Sequence, residues 1–188
     1  MDGPLHNALD SIDRAHPHGT AVAGAIVAHA RLTGVAPKAN ILAIRALDTK
    51  DSTAEATSYG INKGLVWALS NGARIINMSF TGPRDPSIEQ KVAQARQQGI
   101  VLIAAALNAG PNSEPLYPAA YPDVIAVTAT DADDLLYSGA NRGSHIVVVA
   151  APGDRPVPAG AGRGYQVKTG TSFAAAEVGG IVALLPEC

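Results

Sequence analysis

The chain has 188 residues, 47% of them hydrophobic and 16% charged, which suits one folded domain by the usual ~100–200 residues per domain and excludes a disordered polar chain. Its 35 alanines and 19 glycines against eight aromatics describe an interior of closely packed small side chains. With 14 Lys+Arg against 16 Asp+Glu, the formal charge of −2 supplies no attraction to a nucleic-acid backbone or an anionic membrane surface. The longest apolar run, Ile100 to Leu107, covers eight residues where a bilayer span needs about 20, so no membrane span is expected. Met1-Asp2-Gly3-Pro4 has neither a basic nor an apolar leader region, and no signal peptide is read in this chain. The single cysteine, Cys188, is the last residue, which excludes an internal disulfide and argues against thiol catalysis.

In chain order, a polar start without regular structure precedes a buried helix over Thr20 to Leu32, closed by Gly34 and Pro37. Ile41 to Leu47 is read as a strand. Ser52-Thr53 with Glu55 opens a helix running to Leu69, which Asn71-Gly72 stops. Arg74 to Met78 is short and β-branched, hence a strand. Asp85 is the candidate N-cap of the next helix, with Pro86 at its first position, and that helix ends at Gly99. The uniformly apolar Ile100 to Ala106 suits a strand buried on both faces. Val124 to Thr130 and Ile146 to Ala150 are further strands, and Thr171 to Leu185 is a last apolar helix. The alternation predicts an α/β fold with a mostly parallel sheet and helices on both faces.

In such a sheet the reactive groups gather where strands end and helices begin, because unpaired N–H groups and helix dipoles point there. Four junctions combine a polar side chain with glycine or a strand end: His18-Gly19-Thr20, Asn77-Met78-Ser79, Leu107-Asn108-Ala109-Gly110 and Gly170-Thr171-Ser172. Serine becomes a nucleophile only when a base removes its proton, an acid orients the base and donors receive the oxyanion. Ser172 is the candidate nucleophile, His18 the candidate base, and Asn108 a side-chain donor to the oxyanion beside the Ser172 N–H. Asp2, Asp10 and Asp13 all precede His18 and all remain candidates for the acid. Taken singly, a Gly-Thr-Ser tripeptide is usually a helix cap and Asn108 a turn residue; their co-occurrence at equivalent junctions is what suggests a hydrolase.

His18-Gly19-Thr20-Ala21-Val22-Ala23-Gly24 resembles the His-Gly-Thr-x-Val-Ala-Gly block of subtilisin-like serine proteases, and Gly170-Thr171-Ser172-Phe173-Ala174 resembles their nucleophile block. The resemblance continues through Gly34-Val35-Ala36-Pro37, Ile75-Ile76-Asn77-Met78-Ser79, Tyr117-Pro118-Ala119-Ala120-Tyr121-Pro122, Val124-Ile125-Ala126-Val127, Ser138 with Asn141-Arg142-Gly143, and Ala151-Pro152-Gly153, covering His16 to Leu185. It implies a three-layer α/β/α fold with His18 as general base, Ser172 as nucleophile and Asn108 in the oxyanion hole. It also implies an upstream acid, for which Asp2, followed by Gly3, matches best and Asp13 is the fallback. Ser79, Phe80 and Thr81 on one side, and Ala105, Ala106 and Leu107 on the other, are implied to flank an extended peptide held by main-chain hydrogen bonds. The implied function is a serine endopeptidase acting on peptides or proteins through an acyl-enzyme. The alternative is a non-catalytic peptide-binding module of the same fold, which the anchoring of Asp2 would discriminate.

Set against that family the chain is short, so residues 1–188 are expected to form one domain lacking the first strand, before Asp2, and C-terminal elements. Leu107 stands where the family usually has glycine and is expected to narrow the pocket or tilt Asn108. Glu177 and Ala176 stand where the family has His and Pro, with an expected effect on packing. Asp131, Asp133 and Asp134 are read as a solvated turn rather than the calcium loop of some relatives, and no metal site or cofactor is expected. His29 is read as a surface or satisfied histidine, and Tyr59 and Trp67 as core or boundary packing. By resemblance the setting is secreted or periplasmic.

Overall fold

The computed structural model describes residues 5–7, 17–50, 53–106, 110, 114–139, 148–158 and 165–185. In order, the elements are β1 (Leu5–Asn7), α1 (Pro17–Val27), β2 (Ala43–Arg45), β3 (Asp48–Lys50), β4 (Thr53–Glu55), α2 (Ser58–Ser70) and β5 (Ile75–Met78). They are followed by α3 (Pro86–Gln97), β6 (Val101–Ala105), β7 (Val124–Thr130), β8 (Val148–Pro152), β9 (Asp154–Pro158), β10 (Tyr165–Thr169) and α4 (Thr171–Leu184).

The central sheet is parallel, in the order β5-β6-β7-β8, with Ile76 opposite Leu102, Ala104 opposite Ala126 and Val127 opposite Val149. Period-two alternation sends Leu102, Ala104, Val124 and Ala126 to one face, where α2 and α3 cover them with Leu65, Ile88, Val92 and Ala95. It sends Ile103, Ala105, Val127 and Ala129 to the other, where Ala174, Ala175 and Val178 of α4 pack. A strand with both faces buried has no use for polar alternation, which is why β6 is uniformly apolar. Behind α4 lies α1, its Ala21 and Val22 against Phe173 and Ala176. Helices therefore cover both faces of a parallel sheet, the three-layer α/β/α arrangement expected from the sequence.

Several boundaries differ from the sequence-based expectation. The start is not wholly irregular: β1 pairs in parallel with β2, Leu5 opposite Ala43. The first helix ends at Val27, because the chain turns back and Gly34, Val35 and Ala36 donate to the carbonyls of Ala28, Ala25 and Ile26 at 2.7, 3.1 and 2.8 Å. Only glycine allows that approach, since a Cβ at residue 34 would lie 2.5 Å from the Ile26 carbonyl. The expected helix start at Ser52-Thr53 is instead the hairpin of β3 and β4, and α2 is capped by Thr57, whose Oγ1 accepts from the Gly60 N–H at 3.1 Å. The antiparallel ribbon of β9 and β10 was not expected; Pro156 and Pro158 speak against a strand, but a two-stranded ribbon tolerates them.

Asp85 does cap α3, its Oδ1 accepting from the N–H groups of Ser87 and Ile88 at 2.8 and 3.3 Å. Tyr59 is 68% exposed under the Lys63 ammonium and is not core, whereas Trp67 is half-buried. Asp131 accepts from the N–H groups of Asp133 and Leu135 at 3.0 Å each, closing the turn expected there. His29 is exposed, its Nδ1 3.0 Å from the Val27 carbonyl. Among the described residues no helix is long and apolar enough to cross a membrane.

Candidate active site

His18 and Ser172 occupy the same position in two helices, the second residue of α1 and the second residue of α4. Pro17 begins α1, where its missing N–H costs no hydrogen bond. Small side chains let the two helices approach closely, with Ala21, Val22, Ala25 and Ile26 meeting Phe173 and Ala176. Phe173 touches the other first turn as well, its ring 5.9 Å from the His18 imidazole and tilted by 56°. Because Phe173 is the residue after Ser172, this contact holds the two first turns side by side. Ser172 and His18 are both half-buried, so neither is sealed inside the interface.

The turn carrying Ser172 is built from glycine. Gly170, the N-cap of α4, has φ 153° and ψ 161°, a region that essentially only glycine populates. Its N–H donates to the Gly153 carbonyl at 3.0 Å, and the Gly153 N–H donates to the Thr130 carbonyl at 2.9 Å, so the turn hangs from the end of β7. A Cβ on Gly153 would meet Ala129 Cβ at 2.5 Å, which explains the glycine there. Gly170 brings no side chain to cap α4, in contrast to Thr57 on α2 and Asp85 on α3, and the positive end of the α4 dipole lies at the turn that carries Ser172.

The end of β5 reaches the same place. Ser79 Oγ donates to the Ser172 carbonyl at 3.0 Å and accepts from Asn77 Nδ2 at 2.9 Å. Beyond Ser79 the chain is fixed again at Gly82, which exchanges two main-chain hydrogen bonds with Tyr117, at 2.8 and 3.0 Å. Ser79, Phe80 and Thr81 thus run across the sheet end between two anchors, and Phe80 leans on the core. Ala105 and Ala106, at the end of β6, are each 2% exposed, and the Ala106 N–H donates to the Val127 carbonyl at 2.9 Å.

Of the residues singled out in the sequence, Ser79 is hydrogen-bonded to Ser172 and His18 lies against Phe173, the residue after Ser172; Phe80 and Thr81 follow the end of β5, and Ala105 and Ala106 stand at the end of β6. Asp2, Asp10, Asp13, Leu107 and Asn108 lie outside the described residues. Glu177 and Ala176 are buried, at 3% and 0% exposed, and Ala176 lies at the contact between α1 and α4. Two contributions were missed in the sequence: the Ser79 hydroxyl as a partner of Ser172, and Gly153 as the support of Gly170. The motif residues were visible, but no spacing rule connects residue 79 to 172 or 153 to 170.

The subtilase family model matches residues 5–187. The chain is 37% identical, over 98% of its length, to the thermophilic serine proteinase of Bacillus sp. (strain AK1), and 39% identical, over 89%, to thermitase of Thermoactinomyces vulgaris. It spans 48% and 60% of the length of those two relatives. Among solved structures it resembles the prenylagaramide maturation protease PagA, with TM-score 0.84 and 29% identity over 97% of this chain and 67% of that one. The protease domain of PatA is similar at TM-score 0.82 and 29% identity, over 97% of this chain and 71% of that one. Matched by the family model over nearly its whole length, and by relatives of this identity, the chain belongs to the subtilase family, peptidase S8.

Proposed function

We propose that the chain is a serine endopeptidase that cleaves peptide bonds through an acyl-enzyme. The observation that carries this reading is the pairing of the first turns of α1 and α4, which sets His18 and Ser172 on adjoining turns through Phe173. In the proposed reaction Ser172 Oγ attacks the scissile carbonyl while His18 takes its proton. The oxyanion that forms receives the Ser172 N–H, at the positive end of the α4 dipole, and the Asn108 side chain. His18 then returns the proton to the leaving amine, and water, activated by the same imidazole, releases the acyl group. Asp2 is the proposed acid that orients His18. The peptide is proposed to lie extended between the main chain of Ser79 to Thr81 and that of Ala105 to Leu107.

A fluorophosphonate reports the activated serine directly, without any knowledge of the preferred peptide. The wild-type chain is expected to be labelled at Ser172, and His18→Ala to be labelled at least ~10²-fold more slowly, the lower range for a lost general base. Asp2→Asn is expected to slow labelling in the same direction. A correctly folded wild type that takes up no label would instead describe a peptide-binding module.

A further inference from the structure

The two hydrogen bonds that tie β5 to α4 have a fixed direction. A carbonyl oxygen can only accept, so the one proton of the Ser79 hydroxyl is committed to Ser172 O, 3.0 Å away. The other neighbour of that hydroxyl must therefore donate. Asn77 meets the requirement by presenting Nδ2 at 2.9 Å, and its Oδ1 is left buried with no hydrogen-bond partner among the described residues. Turning the amide over would bring two acceptors together at Ser79. An orphaned buried oxygen is unfavourable and is uncommon in a folded protein, so its presence here indicates that the donor is what residue 77 is for.

We infer that Ser79 is a positioning residue for the nucleophile, with Asn77 fixing the direction of its hydroxyl. The inference rests on the reading of Ser172 as the nucleophile. Within α4 the i→i−4 pattern already directs the Ala176 N–H at the Ser172 carbonyl, and Ser79 occupies the second lone pair of the same oxygen. Held from two directions, the peptide unit after Ser172 cannot rotate, and this fixes the first turn from which the Ser172 Oγ and N–H project. The restraint comes from the strand end along which the peptide is proposed to lie. Substrate and nucleophile are then referred to one rigid element, the end of β5. Release of the bond leaves the peptide-binding main chain in place and blurs only the attack geometry, so the rate of the chemical step falls while binding does not.

The experiment uses the full chain and four proteins: wild type, Ser79→Ala, Ser79→Thr and Asn77→Asp. The readouts are the second-order rate of fluorophosphonate labelling, kcat and KM on a chromogenic peptide, and the melting temperature. Ser79→Ala is expected to lose ~10-fold or more in labelling rate and kcat, as for a displacement well under 1 Å, with KM unchanged within about twofold. Ser79→Thr keeps the hydroxyl and is expected to recover most of that loss. Asn77→Asp has nearly the same shape but puts an acceptor where a donor is needed, and is expected to fall with Ser79→Ala; it carries the test if Ser79→Ala does not fold. An unlabelled wild type overturns this inference together with the proposed function. A labelled wild type with Ser79→Ala or Asn77→Asp reacting at its rate overturns this inference alone. So does a loss in Ser79→Ala that Ser79→Thr does not recover and that follows the melting temperature.

Discussion

Gly170 stands one residue before the first turn of α4, with φ 153° and ψ 161°, and two separate things depend on it. A side chain there would force L-residue geometry into a region reserved for glycine, at ~1–3 kcal/mol. The same distortion would disturb the 3.0 Å bond from its N–H to Gly153, and with it the suspension of Ser172 from the sheet. Gly72, just beyond α2, offers a control: its φ of 74° also disfavours a side chain, but nothing lies within 4 Å of where a Cβ would stand. Gly170→Ala and Gly72→Ala are therefore expected to lose comparable stability in urea, on the order of 1–2 kcal/mol. Only Gly170→Ala should also slow fluorophosphonate labelling, by ~10-fold or more. Equal labelling of the two variants would separate the strain at Gly170 from the placement of Ser172.

At the scale of an element, the clearest electrostatic signal is at the start of α3. Hydrogen bonds from the Ser58 and Ser87 hydroxyls, and from the Ser87 N–H, hold the Asp85 carboxyl at about 2, below its ordinary 3.8. A depressed folded-state value means that the charged form is favoured by folding, so the stabilisation is complete above 3.8 and disappears as pH falls through about 2. Asp85→Asn keeps an acceptor for the cap and removes the charge. Its melting temperature is expected to lie below that of wild type near neutral pH, and the gap to close as both are taken from pH 4 toward pH 2. A gap that persists to the lowest pH would assign the effect to the shape of the cap and not to its charge.

The same helix shows what made an element legible. Asp85-Pro86 predicts the start of α3 because the N–H groups that Asp85 caps lie within the next three residues, and Ile100 to Ala106 reads as the strand β6 because burial on both faces imposes an apolar run. The misread elements were decided elsewhere in the chain. Ser52-Thr53 with Glu55 has the appearance of a helix start, yet β3 and β4 pair there and Thr57 caps the helix instead. The end of α1 at Val27 is set by Gly34 returning to it, a contact that local periodicity does not contain. The candidate site divides in the same way. His18 and Ser172, each within two residues of a glycine at a helix start, stand out in sequence, whereas the hydrogen bond of Ser79 to Ser172 joins residues 93 apart and becomes visible only when β5 and α4 are packed.

Across the whole molecule, the alanine-rich composition acquires a specific use in the third layer. The sheet could bury its faces against larger side chains, but His18 and Ser172 can adjoin only if α1 and α4 lie close together, and Ala21, Ala25 and Ala176 set that separation. Ala176 is 0% exposed and has no slack. Ala95, also 0% exposed, packs in the cluster between α2, α3 and the opposite face of the sheet. Enlarging either overfills a tight core, so Ala176→Leu and Ala95→Leu are both expected to cost ~1–3 kcal/mol by chemical denaturation. Their kinetic effects should diverge, because only the first wedges α1 away from α4. Measured well below both melting temperatures, Ala176→Leu is expected to lose ~10²-fold in labelling rate and kcat/KM, and Ala95→Leu to stay within a few fold of wild type. Parallel losses in the two variants would mean that the spacing of the outer layer carries no special weight and that the site responds only to overall stability. Divergence would make the small residues of the α1–α4 contact part of the geometry of the candidate site, although none of them has a reactive group.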